Sequence, residues 1–213
     1  MWKIVTKYGI ITVKSYIGVI DLSNLYELPN YLIRRKVLTL VGAKFHVFDP
    51  SGQVIMFSKM KAFKLKEDIR LYTGEDMQNE LITIQARQVI DFSAAYDVID
   101  AVTGEKVGAL KRKGLKSIIK DEWLILDAND NQIGFIKEDS TGLALLRRFL
   151  TNLIPQSFDI EINGQVVGVC RQRFNPFIMK LDVDFAKDTN HILDRRLGLA
   201  AGLLLCAIEG RQD

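Results

Sequence analysis

Six cations, Lys106, Lys111, Arg112, Lys113, Lys116 and Lys120, fall within fifteen residues that hold no acid. Cations at that density attract anionic lipid headgroups, at about 1 kcal/mol each near a charged surface. They attract nucleic-acid phosphates by the same Coulombic force. Gly114 breaks the run as a turn or bulge. The simpler account of the run is a solvated strand-and-loop face, because Glu105, Asp121 and Glu122 flank and neutralise it. Lys59, Lys61, Lys64 and Lys66 form a second, weaker cluster. On a strand, Lys59 and Lys61 share one face, and so do Arg171 and Arg173. A barrel that brings two such faces together makes a real patch.

Other chemistry is thinly supported. Asp127, Asn129, Asn131 and Glu138 occupy positions 1, 3, 5 and 12 of a calcium-loop pattern. Gln132 stands where that loop needs glycine, and the flanks alternate like strands, so a hairpin turn explains the segment better. His46 and His191 are the only histidines, and neither has a Cys, Ser or carboxylate at triad or metal spacing. Asp182 and Asp184 share a strand face, as an acid–base pair would, and a solvated outer face explains them more simply. No glycine-rich phosphate loop is present. No catalytic residue, cofactor or metal is therefore expected.

The elements that would position these groups are clearer. Residues 197–208 carry no polar side chain, with Asp194, Arg195 and Arg196 before them and Glu209 and Arg211 after. A helix apolar on every side must be surrounded by apolar material. Twelve residues span only ~18 Å, short of the ~30 Å hydrocarbon core of a bilayer, so the chain itself is expected to wrap this helix. Gly198 and Gly202 within it suit close approach by wall side chains better than membrane dimerisation.

The wrapping comes from a repeated hairpin pattern. Short alternating runs begin near Phe45, Ile69, Tyr96, Trp123 and Phe158, each followed by a turn and a second run. The last copy turns on Asn163-Gly164, the pair that best supplies the positive φ angles of a type I′ hairpin. Added strands over 31–41 and 177–185 bring the total to about twelve. Regularly spaced hairpins suggest a sandwich or an up-and-down barrel, and closure removes exposed edges. A twelve-stranded barrel has room for the terminal helix, unlike an eight-stranded one filled by side chains. A helix over 142–153, with one leucine face and Arg147-Arg148 opposite, accounts for the longest spacing and would pack on the barrel or lie in a membrane interface.

Composition sets outer limits. The 213 residues, 48% apolar and 26% charged with a net charge of +3, are ordinary globular material and name no partner by charge alone. Cys170 and Cys206 lie in apolar runs and read as buried, reduced thiols. No secretory signal or spanning helix is visible, which points to the cytoplasm.

The cadence of hairpins followed by an apolar helix resembles the tubby C-terminal-like superfamily, in particular its LURF-one-related and phospholipid-scramblase-like branch. Lys44-Phe-His-Val-Phe-Asp-Pro-Ser-Gly, the run from Tyr96 to Gly104, Phe158-Asp-Ile-Glu-Ile-Asn-Gly and residues 193–209 carry the likeness. It implies a mainly β fold: a twelve-stranded closed antiparallel barrel around a central hydrophobic helix, over residues 26–213, after an extension at 1–25. Tubby domains bind phosphoinositides and scramblases are membrane proteins, so the resemblance implies a non-enzymatic module on anionic phospholipid, peripheral to the inner membrane surface. No ligand-binding residue of the family is carried over; the expected ligand-binding residues are those of the sequence's own basic run, Lys106, Lys111, Arg112, Lys113, Lys116 and Lys120, together with Arg171 and Arg173. Nucleic acid is the less favoured partner, and no protein partner is specified. The alternative is a structural or protein-interaction scaffold without a lipid role.

Overall fold

A computed structural model describes residues 3–6, 9–12, 25–37, 43–60, 68–87, 94–113, 122–138, 155–175 and 178–208. Strands β1 (Lys3–Thr6) and β2 (Gly9–Thr12) pair antiparallel as a two-stranded sheet of their own. Twelve further strands follow: β3 (Asn30–Val37), β4 (Ala43–Phe48), β5 (Val54–Met60), β6 (Ile69–Tyr72), β7 (Glu80–Ala86) and β8 (Ala95–Asp100), then β9 (Lys106–Arg112), β10 (Glu122–Leu126), β11 (Gln132–Glu138), β12 (Ser157–Ile162), β13 (Gln165–Arg173) and β14 (Lys180–Asp184). They pair antiparallel in chain order, and β14 returns to β3, so the sheet closes into a barrel. The helix α1 (Arg195–Ile208) ends the described chain.

The strands form where apolar side chains alternate. On β12, Phe158, Ile160 and Ile162 are buried while Ser157, Asp159 and Glu161 are only partly so. That period of two puts one face on the core and the other toward solvent. The turns are set by local chemistry. Asn163 and Gly164 take φ values of 50° and 82°, as a type I′ turn requires. Aspartates organise three of the other turns. Asp49 Oδ1 accepts the Gln53 N–H at 2.8 Å, Asp100 Oδ1 accepts the Val102 N–H at 2.8 Å, and Asp127 Oδ1 accepts the Asn131 N–H at 2.8 Å. A short carboxylate that bonds the backbone just ahead stabilises a tight turn. The connections 49–53, 73–79, 101–105, 127–131, 163–164 and 185–194 all leave the strands at one end of the barrel, called the turn end below, and 73–79 lies back over β4, where Glu75 reaches His46 and Lys44. β3, β5, β7, β9, β11 and β13 run from there to the far end.

The expected helix over 142–153 lies outside the described residues, as do Lys61, Lys64 and Lys66 of the weaker cluster. The strand expected over 177–185 is shorter, running from Lys180 to Asp184.

α1 fills the lumen. Thirteen of its fourteen residues are buried, Arg196 being the exception. It touches β3 and β14 on one side and β7, β8 and β9 on the other, which are opposite walls of the ring. Burying a leucine contributes about 1.5–3 kcal/mol, so Leu199, Leu203, Leu204 and Leu205 anchor the core. Two glycines set how closely the helix meets β3 and β14. A Cβ at Gly198 would lie 2.5 Å from Phe185 Cζ, and one at Gly202 would lie 2.8 Å from both Ile33 Cδ1 and Val183 Cγ2. Close approach to the wall is thus the role of the Gly-x-x-x-Gly pair.

The start of α1 is fixed at the turn end. Asp194 caps it by accepting the Arg196 N–H at 2.9 Å. Arg195 donates to Asp188 Oδ2 at 2.5 Å, with the Asp188 side chain wholly buried. Arg196 donates to Asp100 Oδ2 at 2.6 Å and so ties the helix to the β8–β9 turn. No described helix is long and apolar enough to cross a membrane.

Candidate anionic-ligand surface

The barrel separates the cations expected to act together. Lys106 lies near the turn end, where its Nζ is 2.7 Å from Asp130 Oδ1 and 3.2 Å from Asp97 Oδ1. Arg87 donates to the same two aspartates, both at 2.5 Å, which completes a balanced set of two cations and two anions. The hydrogen bond from Arg87 holds the Asp97 carboxyl below the usual carboxylate range, and that from Lys106 does the same for Asp130. Lys111 is exposed at the far end and has no ion pair among the described residues. Arg112 is only partly exposed and stands opposite Trp123, so it shares the inward face with that buried ring. Lys113 Nζ is 2.8 Å from Glu122 Oε1. Lys116 and Lys120 lie outside the described residues.

Arg171 and Arg173 are both exposed, on the outer face of β13. Arg173 is held by Asp182 through two hydrogen bonds of 2.7 Å. Between β13 and β9 stand β10, β11 and β12. At about 4.8 Å per strand, the two groups are roughly 19 Å apart along the sheet.

Arg171 and Arg173 belong instead to a basic wall on the other side, assembled by strand register. Arg173 is opposite Lys180, Lys180 is opposite Arg34, and Arg34 is opposite His46. One row further toward the far end, Lys36 is opposite Lys44, and Lys44 is opposite Lys59. These residues face outward, since their neighbours Ile33, Phe45, Ser58 and Leu181 are fully buried on the inner face. Directly opposed side chains on neighbouring strands have Cβ atoms about 5 Å apart, and like charges there destabilise the sheet. The wall therefore holds its charge against a folding penalty.

Partial compensation is visible. Lys44 Nζ is 3.8 Å from Glu75 Oε2, and the Arg34 guanidinium carbon sits 4.8 Å from the Phe48 ring centre. Arg34, Lys36, Lys59, Lys180 and Arg171 have no ion pair among the described residues. The wall is bounded by neutralised pairs, Arg70–Glu80 beyond β5 and Lys137–Glu161 beyond β13. At the turn end cations and acids are largely matched: Lys106 and Arg87 meet Asp130, Arg195 meets Asp188, and Arg196 meets Asp194 and Asp100. Asp49, Asp76, Glu105 and Asp127 of its connections have no ion pair among the described residues, whereas Glu75 reaches the wall residues Lys44 and His46.

The other sequence candidates resolve as follows. The calcium-like segment is the β10–β11 turn, with Asp127 Oδ1 accepting backbone N–H groups from Asn129 and Asn131 and Asp130 at φ 67°. Asp182 is engaged by Arg173, and Asp184 accepts the Ala186 N–H at 2.8 Å. His46 gains a partner that spacing did not reveal. Its Nε2 lies 2.8 Å from Glu75 Oε1, and the ring packs between Phe48 and Phe57. That hydrogen bond is the chief reason the Glu75 carboxyl sits below its usual range. Nothing local in the sequence joins Lys36, Arg34 and Lys180. Only the register of β14 on β3 does.

Cys170 and Cys206 are free and wholly buried. Burial pushes the Cys170 thiol up to about 12 and the Cys206 thiol up as well, which leaves both unreactive as nucleophiles.

The class defined by this fold is a mainly β, closed twelve-stranded antiparallel barrel plugged by its own C-terminal helix, with one cationic outer wall. No protein-family model, no curated protein and no solved structure matches the chain.

Proposed function

We propose that the protein is a non-enzymatic binding module that docks on anionic phospholipid surfaces through the outer wall of β13, β14, β3, β4 and β5. The observation that supports this reading is the pair of cross-strand rows, Arg173–Lys180–Arg34 and Lys36–Lys44–Lys59. A fold has no stabilising use for opposed like charges, whereas an anionic surface does: the four cations of these rows with no ion pair among the described residues, Arg34, Lys36, Lys59 and Lys180, together contribute about 4 kcal/mol at about 1 kcal/mol each. An outer wall formed by five strands presents these charges side by side, as a flat headgroup layer requires.

The reading takes the chain as a tubby-like barrel of the scramblase-related branch, on its hairpin cadence and enclosed terminal helix. It puts the protein at the cytoplasmic leaflet, where anionic lipid is concentrated. The basic wall takes the place of the 106–120 run as the principal contact.

The test is co-sedimentation of the full chain with phosphatidylcholine vesicles, with and without phosphatidylserine, over a salt series. Binding should require phosphatidylserine and weaken as salt rises. Equal failure to bind either vesicle refutes the reading and leaves the protein-interaction scaffold.

A further inference from the structure

Resting on the lipid-docking reading above, we propose that Phe174 is the apolar anchor of the docked state, entering the headgroup–acyl boundary of an anionic bilayer while Arg171 and Lys180 meet phosphate oxygens beside it. Phe174 is 59% exposed. The other exposed large hydrophobics of the described residues, Val54, Met77, Val102, Val166 and Ile192, all fall in or next to the connections that leave the strands at the turn end. Among the described residues Phe174 is thus the one such side chain at the far end, and the one aromatic of the group.

Its setting is cationic. It directly follows Arg173, whose guanidinium is fixed by Asp182, and Arg173 stands opposite Lys180. Arg171 is on the same outer face of β13 and has no ion pair among the described residues. The chain beyond is organised by Asn175, whose Oδ1 accepts the Ile178 N–H at 2.9 Å. Phe174 therefore projects from a defined strand end and turn at the margin of the basic wall.

This largely exposed ring is no part of the buried core. Aromatic rings favour the membrane interface, and stable peripheral attachment takes two signals, an apolar insertion and a basic patch. Charge alone would bind the wall loosely and reversibly. A single ring inserted at its edge would fix the orientation of the barrel on the surface.

The test uses the full chain as wild type, F174A and F174W, with phosphatidylcholine vesicles containing or lacking phosphatidylserine. F174A should fold like the wild type by circular dichroism and bind phosphatidylserine vesicles about tenfold more weakly. The emission added by F174W should shift to the blue on those vesicles and be quenched by lipids brominated near the headgroup. Wild-type binding that F174A matches, with F174W emission unmoved, overturns the anchor and leaves the docking reading standing. A wild type that binds no vesicle overturns both. A blue shift of F174W that depends on protein concentration without vesicles assigns Phe174 to a contact between copies, and overturns the anchor as well.

Discussion

Lys36 and Lys44 stand directly opposite each other on the outer face of β3 and β4, and Lys59 continues the row on β5. Three ammonium groups in line across three strands oppose the folding of the barrel. The row joins two properties that are usually measured separately, stability and ligand affinity.

Lys36→Gln should move the two properties in opposite directions. Removing one of the opposed charges should stabilise the barrel by a few tenths of a kcal/mol. It should also weaken binding to phosphatidylserine vesicles about fivefold, the loss of roughly 1 kcal/mol. Urea denaturation and vesicle sedimentation on the same preparation check both.

Position on the barrel, more than charge in the sequence, should decide which lysines matter. Lys106→Gln removes a cation already matched by Asp97 and Asp130, on the far side from the wall. It should leave vesicle binding unchanged. Glu75→Gln removes the carboxylate beside Lys44 and His46 and should tighten binding about fivefold at low salt. A titration of both variants over one vesicle series compares them.

The Arg195–Asp188 pair should make stability depend on pH in acid. Burial pushes the Asp188 carboxyl up, but hydrogen bonds from the Ile192 N–H, Arg195 and the Leu193 N–H outweigh it and hold the group below its ordinary value. A depressed folded value means that this stabilisation is fully present above the ordinary carboxylate range of about 4. It is lost as pH falls through the folded value. Asp188→Asn leaves Arg195 buried without its anion and should destabilise by about 3–5 kcal/mol at pH 7. The gap between variant and wild type should narrow below pH ~4, as thermal unfolding at several pH values would record.

The enclosed helix predicts a folding defect with no membrane component. Leu204 is 2% exposed, and Leu204→Asp would bury a carboxylate inside the barrel. That variant should be unfolded or insoluble. Gly202→Ala brings a methyl to 2.8 Å from Ile33 and Val183, and should cost about 1–3 kcal/mol as overpacking while leaving the fold intact. Circular dichroism and chemical denaturation distinguish the two outcomes. A soluble, cooperative Leu204→Asp protein would show that the helix is not enclosed.

Much of the architecture was legible because its determinants are local. Asn163-Gly164 specifies a tight hairpin through two adjacent φ angles, and Asp49, Asp100 and Asp127 each bond backbone a few residues ahead. The alternation of Phe158, Ile160 and Ile162 marks a strand with one buried face. Residues 197–208 announce their own enclosure because no face of the helix can meet water. Hairpins in series and a helix needing cover leave a closed barrel as a compact answer.

The candidate surface was legible only in part. Arg171, Arg173 and Lys59 are marked in the sequence as members of shared strand faces, while the densest cluster of cations in it is the run 106–120. Strand geometry then split that run: Lys111 faces outward, Arg112 shares the inner face with Trp123, and Lys106 is neutralised near the turn end. Density along a chain does not become density on a surface when alternate residues point to opposite faces.

The sequence by itself determined the hairpins, the turn chemistry and the burial of the terminal helix, all of which depend on neighbours within a few residues or on the composition of one segment. Only the tertiary structure decided the basic wall. Arg173 meets Lys180 through one antiparallel pairing, but Lys180 meets Arg34 solely because β14 closes on β3 across almost the whole described chain. Closure is a global event driven by burial of the inner face around α1, and the register it selects on that inner face also aligns the outer cations. The charge pattern outside the barrel is thus fixed by apolar packing inside it.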